Sequence, residues 1–444
     1  MRITLIRPHM TALRAADALE PLVFGIFARL TPPDVELKLY DDRIEDVPYD
    51  EPTDLAALTV ETFTAKRAYQ IAARYRRQGV PVVMGGFHPT LLPDEASQHA
   101  DAIVIGDAEA VWPQLVADVR VGALKPVYHC PPDLAAQSVI PDRRLFRAKP
   151  YGALRIVQFG RGCRFACDFC SIHAFYGRSM PCRRMEEVLA ELDELRGKIV
   201  FFADDNLFAD VDQARALFTA LKSSGIHWAC QISLDIIQHP QLLDLMAQSG
   251  CIGVLIGFET LNEANLLQMK KKWATTQGGY AKAVAQIAAR GMMIFGSFVF
   301  GYDEDTPDAF DRTLEFAMRS KMALAQFNPL IPIPATPLYE RLKQEQRLLY
   351  ERWWLDDDYR YGETIFLPKR MTPDQLRDGI IRLRHDFNTY PSIFQRLLAP
   401  QNNAHSPYHL LAYLATNLIT RKEIRNKQGQ PLGDGSAIDP AGAR

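Results

Sequence analysis

Three cysteines fall within eight residues in the stretch Gly160-Arg-Gly-Cys163-Arg-Phe-Ala-Cys167-Asp-Phe-Cys170, a C-x3-C-x2-C run. Thiolates are soft ligands that suit zinc and iron–sulfur centres. Three of them on one short loop can hold three irons of a four-iron cluster and leave the fourth iron open to a small molecule. A structural zinc site wants a fourth thiolate or imidazole, and His173 and Cys182 stand close enough in sequence to be proposed for it. The seven cysteines form an odd set, clustered within a long chain, so they do not read as a secreted disulfide scaffold.

The elements around this run fall into two series of strand–helix units. Before it, strands are expected at Ile3–Ile6, Val35–Tyr40, Leu55–Val60, Val80–Met84 and Ala102–Ile105, with a helix over 64–78 closed by Gly79. Repeated units of this size predict an open parallel sheet whose ligands sit at the carboxyl ends of the strands. Those ends are the Arg7–Met10 loop, Thr59 to Thr62, and Gly85 to His88. Residues 126–152, with Pro126, Pro131, Pro132, Pro141 and Pro150, read as a linker. Six further strands follow at Leu154–Phe159, Ile199–Ala203, Trp228–Ile232, Gly253–Gly257, Met293–Phe300 and Ala323–Asn328. That is short of the eight in a closed barrel and fits a partial one. The expected division is therefore 1–125, a linker at 126–152, a barrel at 153–337, a helical part at 338–429 that covers the substrate site, and a disordered tail at 430–444.

Composition removes other classes. The 51 Lys and Arg balance 53 Asp and Glu, a net charge of −2, which argues against a nucleic-acid binder working by phosphate neutralisation. At 48% hydrophobic and 23% charged residues the chain is ordinary globular protein. Its longest nearly apolar run, residues 291–301, is far short of the roughly 18 residues of a membrane span. With no signal-peptide pattern at the start, a cytoplasmic protein is expected.

The cysteine run, with Phe169 directly before the last cysteine, resembles the signature of radical S-adenosylmethionine (SAM) enzymes, whose fold is a partial (β/α)6 barrel. The resemblance implies that Cys163, Cys167 and Cys170 hold a [4Fe-4S] cluster whose open iron is chelated by SAM. The cluster would then split SAM to methionine and a 5′-deoxyadenosyl radical, with electrons from an external donor such as flavodoxin or ferredoxin. By the same resemblance Asp204, Asp205 and Asn206 occupy the place of an acidic motif that meets the SAM ammonium, with an Asp-Asp-Asn helix cap before 208–222 as the competing reading. Gln231 and Ser233 are expected at the ribose or carboxylate, Glu259 at the cavity, and Gly301 at the adenine edge.

A Rossmann-like domain ahead of the barrel resembles the cobalamin-binding group of that superfamily. So do the stretches Gly85-Gly-Phe-His-Pro-Thr90, Leu92-Pro-Asp-Glu95, Ala100 to Glu109, and Ile331 to Leu338, where Ala335 stands in place of the usual Gly. The Asp-x-His-x-x-Gly motif of cobalt-ligating domains is missing, so His9 and His88 are not expected on cobalt, and His88 is expected to fix a loop. Gly85 and Gly86 would admit the nucleotide tail of the corrinoid, with Thr59 and Thr62 bonding to it. The resemblance implies C-methylation of an unactivated carbon in a small, apolar natural product, lipid or tetrapyrrole. A radical SAM cyclase or oxidoreductase without methyl transfer, and a zinc-containing Rossmann binding protein, are the competing readings.

Three further stretches carry expectations. Trp353, Trp354, Tyr359 and Tyr361, with Asp356, Asp357 and Asp358 between them, form either a lid or a core patch. Lys270-Lys-Lys272 reads as a solvated helix end. The Leu410, Leu411, Leu414 and Leu418 stripe is expected to pack on the barrel, with membrane association the competing reading.

Overall fold

Runs of β-branched and aliphatic residues, too short for helices and flanked by helical segments, build two all-parallel six-stranded sheets in the computed structural model, which describes residues 1–130, 138–271 and 279–438. The first sheet contains β1 (Arg2–Arg7), β2 (Glu36–Asp41), β3 (Leu55–Thr59), β4 (Val82–Gly85), β5 (Ala102–Ile105) and β6 (Val127–His129), in the order β2-β1-β3-β4-β5-β6. The order reverses between β1 and β3, which opens a crevice at their carboxyl ends. Successive residues feed opposite cores: Leu5, Ala57 and Val83 enter one, while Ile6, Leu58 and Met84 enter the other.

The second sheet contains β7 (Arg155–Val157), β8 (Ile199–Phe202), β9 (His227–Ile232), β10 (Cys251–Glu259), β11 (Met293–Phe300) and β12 (Leu324–Pro329), in sequence order from one edge to the other. It is an open half-barrel, and its core runs from Val157 through Trp228, Val254 and Phe298 to Phe327. The protein is thus an α/β molecule with a Rossmann-like domain, a partial (β/α)6 barrel and a mainly helical C-terminal part.

Several elements depart from the sequence reading. The stretch read as a linker supplies β6, whose Tyr128 pairs with Val104 of β5. Three residues beside a proline carry no readable period. Farther on, Phe146 packs against the first core. Pro131 and Pro132 lie outside the described residues. The tail is not loose from the start: Leu432 is buried, and Asp434 pairs with Arg67 at 2.5 Å and Arg74 at 3.0 Å. Ile438 packs on the same core, and residues beyond it are outside the described ones.

Trp353, Trp354 and Tyr359 are core rather than lid. They join the second core of the Rossmann-like domain, over the helix Ala65–Arg77, whose Lys66 pairs with Asp357. The C-terminal part therefore completes the N-terminal domain. Its last helices, Tyr390–Leu397 and Pro407–Lys427, lie against the first residues of β10, β11 and β12 through Ile252, Met293 and Ala323. That is the opposite end of the barrel from the strand ends where a site is expected. The Leu410, Leu411, Leu414 and Leu418 stripe faces solvent instead of the barrel.

Candidate active site

The cysteine loop leaves the end of β7 and closes on the helix Ser171–Tyr176. Cys167 is buried, and Cys163 and Cys170 are half-buried. The loop is held from the neighbouring strand. Asp204, just past β8, accepts the Phe159 N–H at 3.0 Å with one oxygen and the Gly160 N–H with the other. Asp205 accepts the Gly162 N–H at 2.7 Å. Gly162 sits at φ +79°, and a Cβ there would strike the Ser179 carbonyl oxygen, so the loop can close only with glycine at this point. Burial pushes the Asp204 carboxyl up to about 7 and the Asp205 carboxyl up to about 6.

The remaining expected residues gather on these two. Asn206 donates to Ser233 Oγ at 3.0 Å, and its Nδ2 lies 3.7 Å from Cys163 Sγ. Gln231, at the end of β9, donates to the Asp205 carbonyl at 3.0 Å. Both Asp204 oxygens are committed to backbone, so its role is to hold the loop, and a carboxylate free for a ligand amine is better sought in Asp205. Neither residue caps the next helix; Asp210 does that, accepting from Asp212 and Gln213 at 2.9 Å.

Glu259 ends β10 with φ +61°, a left-handed conformation that costs a non-glycine residue about 1 kcal/mol or more. Its carboxylate folds back over Gly257, where a side chain would collide with it, and pairs with Lys271, which also donates to the Gly257 carbonyl at 2.8 Å. Lys271 is therefore buried beside the cysteine loop rather than solvated, because its loop returns to the strand end. Lys272 is outside the described residues. Gly301 does not offer an open edge: a Cβ there would meet Phe366 at 2.8 Å and Leu376 at 2.9 Å, so the C-terminal part fills that space.

Between the cysteines, Asp168 accepts the Tyr302 hydroxyl at 2.6 Å, and its carbonyl accepts the Leu338 N–H at 2.9 Å. The Phe169 ring meets the Tyr302 ring edge-on at 6.4 Å. Arg161 reaches out of the loop to the other domain, pairing with Asp107 at 2.7 Å and Glu109 at 2.5 Å, all three largely buried. Tyr176 donates to Asp107 at 3.1 Å.

The three cysteines fit a polynuclear centre. Burial pushes the Cys167 thiol up to about 12 and raises Cys170, and the neighbouring thiolates add to both. A loop of mutually repelling thiolates is stable when a cationic centre compensates them. The Ile172 and His173 N–H groups turn toward Cys170, as donors to a ligating sulfur would. Cys182 sits beside Gly160, and its thiol is pushed up to about 11 by burial.

A cavity of about 250 Å³ lies between this loop and the switch point of the first sheet. Thr59, Gly85, Gly86 and Gly106 line it from the strand ends, and Arg161, Phe175 and Tyr176 line it from the cysteine side. Gly86, at φ +107°, presses so close to Val60 that a Cβ would lie 2.9 Å from its carbonyl oxygen. At the rim Arg7 pairs with Glu61 at 2.7 Å, and its Nε has no partner among the described residues. Glycine walls, an apolar floor around Phe24 and Trp112, and an unused donor fit the slender nucleotide tail of a corrinoid. Thr62 does not line the cavity; it is buried in the turn that follows β3. Neither histidine faces it. His88 is fully buried against Tyr69 and Glu95 at 3.0 Å, fixing its loop as expected, and His9 contacts the Thr11 carbonyl at 2.8 Å.

A half-barrel with a three-thiol loop at its carboxyl edge, facing the switch point of a Rossmann-like sheet, defines a radical SAM protein with an accessory nucleotide-type domain. Residues 157–317 match the radical SAM superfamily. The chain is 31% identical over 395 residues to the bacteriochlorophyllide d C-12(1)-methyltransferase of Chlorobaculum tepidum, covering 85% of this chain and 84% of that one. Its fold is similar to that of the radical SAM methyltransferase TsrM from Kitasatospora setae, with a TM-score of 0.65 at 15% identity over 96% of this chain and 98% of that one. It is also similar to the cobalamin-dependent SAM radical enzyme OxsB, with a TM-score of 0.66 at 13% identity over 96% and 80% of the two chains. The chain belongs to the cobalamin-binding-domain group of radical SAM enzymes.

Five residues of the site carry no role in the sequence reading, Tyr302, Arg161, Asp107, Glu109 and Tyr176, and Lys271 reads there as part of a solvated helix end. Asp107 and Glu109 lay within a quoted stretch, but their partner is 52 to 54 positions away. Only the meeting of the two domains gives them a role.

Proposed function

We propose that this chain is a cobalamin-dependent radical SAM C-methyltransferase, and that its substrate is a large apolar small molecule of the tetrapyrrole class. The observation that carries this reading is the glycine-walled cavity that opens between the Rossmann-like switch point and the cysteine loop. The tetrapyrrole choice rests on the relative from Chlorobaculum tepidum. When bound, the cluster supplies the electron that splits SAM, and the corrinoid supplies the methyl group.

The chain's own residues prepare that site. Cys163, Cys167 and Cys170 hold the iron, and Asp204 fixes their loop to β8. Asp205, Gln231, Ser233 and Glu259 are the residues we assign to SAM, because they surround the loop at successive strand ends. Thr59, Gly85, Gly86 and the spare Arg7 donor are assigned to the corrinoid. The Arg161 pairs hold the two cofactor regions face to face. An external donor of the flavodoxin or ferredoxin type would supply electrons. No disulfide joins any of the seven cysteines, which suits the reducing cytoplasm.

The test is to purify the chain without oxygen, reconstitute it with iron and sulfide, add hydroxocobalamin and desalt. Corrinoid bands retained over iron–sulfur absorption are expected. With SAM, a reductant and a chlorin substrate, 5′-deoxyadenosine and S-adenosylhomocysteine should form in equal amounts. Cys167→Ala should abolish both, and persistence of SAM cleavage in that variant sinks the mechanism. Deoxyadenosine without S-adenosylhomocysteine would give the cyclase or oxidoreductase reading instead.

A further inference from the structure

The last two helices are built inside out for a solvated surface. In Pro407–Lys427 the buried positions are His409, Tyr413, Asn417 and Glu423, whereas Leu411 is 63% exposed and Leu418 is 51% exposed. In Tyr390–Leu397 the buried face carries Ile393 and Arg396, while Tyr390, Phe394 and the following Leu398, four residues apart, are each more than 60% exposed. A helix on a globular surface normally turns its apolar stripe inward. Here the polar side chains are the ones held. Arg396 donates to the Met322 and Ala323 carbonyls at 3.0 and 2.8 Å and to Asn417 at 2.9 Å, and Tyr413 donates to the Ile393 carbonyl at 2.6 Å. These bonds fix the orientation, so the leucines cannot roll inward.

Of the exposed large hydrophobic side chains among the described residues, nine of seventeen fall between Tyr390 and Ile419, which makes this a patch rather than scattered exposure. Its charge is equally uneven. Residues 390–427 contain five Lys and Arg and one acid, Glu423; Arg396 is buried and Lys427 is paired with Asp17 at 2.8 Å, which leaves Arg421, Lys422 and Arg425 as the cations of this face. Glu423 is buried and pairs with Lys427 at 3.1 Å. Lys422 and Arg425 are exposed at the basic end, and Arg421 lies 4.3 Å over the Tyr390 ring, so the cations border the apolar stripe directly.

We infer that this face docks on an anionic lipid bilayer, with the aromatic and leucine side chains in the headgroup–acyl boundary and the basic end on anionic headgroups. No described helix is long and apolar enough to cross a membrane, so the contact is peripheral. A second copy fits the face less well: the one acid within 390–427, Glu423, is buried, and the exposed Asp17 beside it is already paired with Lys427, so neither carboxylate is spare to meet the cations of a twin. Because these helices sit on the first residues of β10, β11 and β12, the bilayer would lie at the end of the barrel opposite the cysteine loop.

The test is flotation of the iron-reconstituted full chain with vesicles of phosphatidylcholine alone or of phosphatidylcholine mixed with phosphatidylglycerol. Binding to the anionic vesicles only, weakened by added salt, is expected. Phe394→Ser with Leu411→Ser should lower the bound fraction about tenfold, since each loses the burial of a large side chain. Lys422→Glu with Arg425→Glu should lower it comparably, with both variants keeping wild-type circular dichroism. Failure of the wild-type chain to float with anionic vesicles overturns the inference. So does a dimer in sedimentation that the Phe394→Ser, Leu411→Ser pair dissolves, because a second copy would then own the face.

Discussion

Arg161 carries one buried guanidinium between two carboxylates that belong to the other domain, and the cost of losing it is asymmetric. Arg161→Met would leave Asp107 and Glu109 facing each other without a cation, and burial already pushes the Asp107 carboxyl up against the pull of Arg161. Breaking a buried pair in this way costs about 3–5 kcal/mol. Urea unfolding should show that loss, and Asp107→Asn with Glu109→Gln in the same background should recover most of it. Tyr302→Phe is a smaller and more local change. It removes the 2.6 Å bond to Asp168, a hydroxyl-to-carboxylate bond of the kind worth about 1.5–3 kcal/mol. Arg341, at 3.7 Å, is too distant to replace it. The cluster should still assemble in this variant but bleach faster when an iron chelator is added, with the absorption decay as the readout.

At the scale of elements, the helix Pro407–Lys427 should report pH through His409. Burial lowers its pKa to about 4, with His405 and His227 lowering it further, against 6.5 when unfolded. A group whose folded pKa is depressed in this way stabilises the docked helix as the neutral form, and that contribution is lost as pH falls from about 6.5 through 4. Hydrogen exchange of this helix, corrected for intrinsic rates, should therefore speed up between pH 7 and pH 5, and His409→Asn should flatten the change. The same helix shows where sequence stops being legible. Its leucines at 410, 411, 414 and 418 mark one face clearly, but His409, Tyr413 and Asn417 share a second face at the same spacing. Periodicity finds a stripe without saying which stripe the barrel will hold; the Ala323 carbonyl, which accepts from Asn417 at 2.9 Å across 94 positions, decides that. By contrast, the strands of the half-barrel are readable because each carries short apolar stretches at buried positions, as β10 does from Cys251 to Phe258. The cysteine triad is readable because its ligands are local. Lys271 and Tyr302 are not, since their partners are set by loops returning to strand ends.

At the scale of the whole molecule, the chain is tied across its two sheets from both directions. Arg161 reaches from the barrel to Asp107 and Glu109, and Arg143 bridges Glu20 and Glu191 at 2.6 and 2.7 Å. The C-terminal part then crosses back, placing Trp353, Trp354, Tyr359 and Leu432 in the core under Ile6, Leu58 and Met84. The helix Ala65–Arg77 packs into the same core from within the domain, and the crossing segment completes it, so the Rossmann-like domain draws part of its core from residues more than 200 positions downstream. A domain is stable by only about 5–15 kcal/mol. Truncating a fully buried tryptophan costs about 3–5 kcal/mol of that. Calorimetry of the full chain should therefore give one cooperative transition, because neither sheet keeps its core alone. Trp353→Ala should separate an early transition of the N-terminal domain from a later one of the barrel. Two transitions in the unmodified chain would mean that the crossing segment rests on the first sheet without completing it.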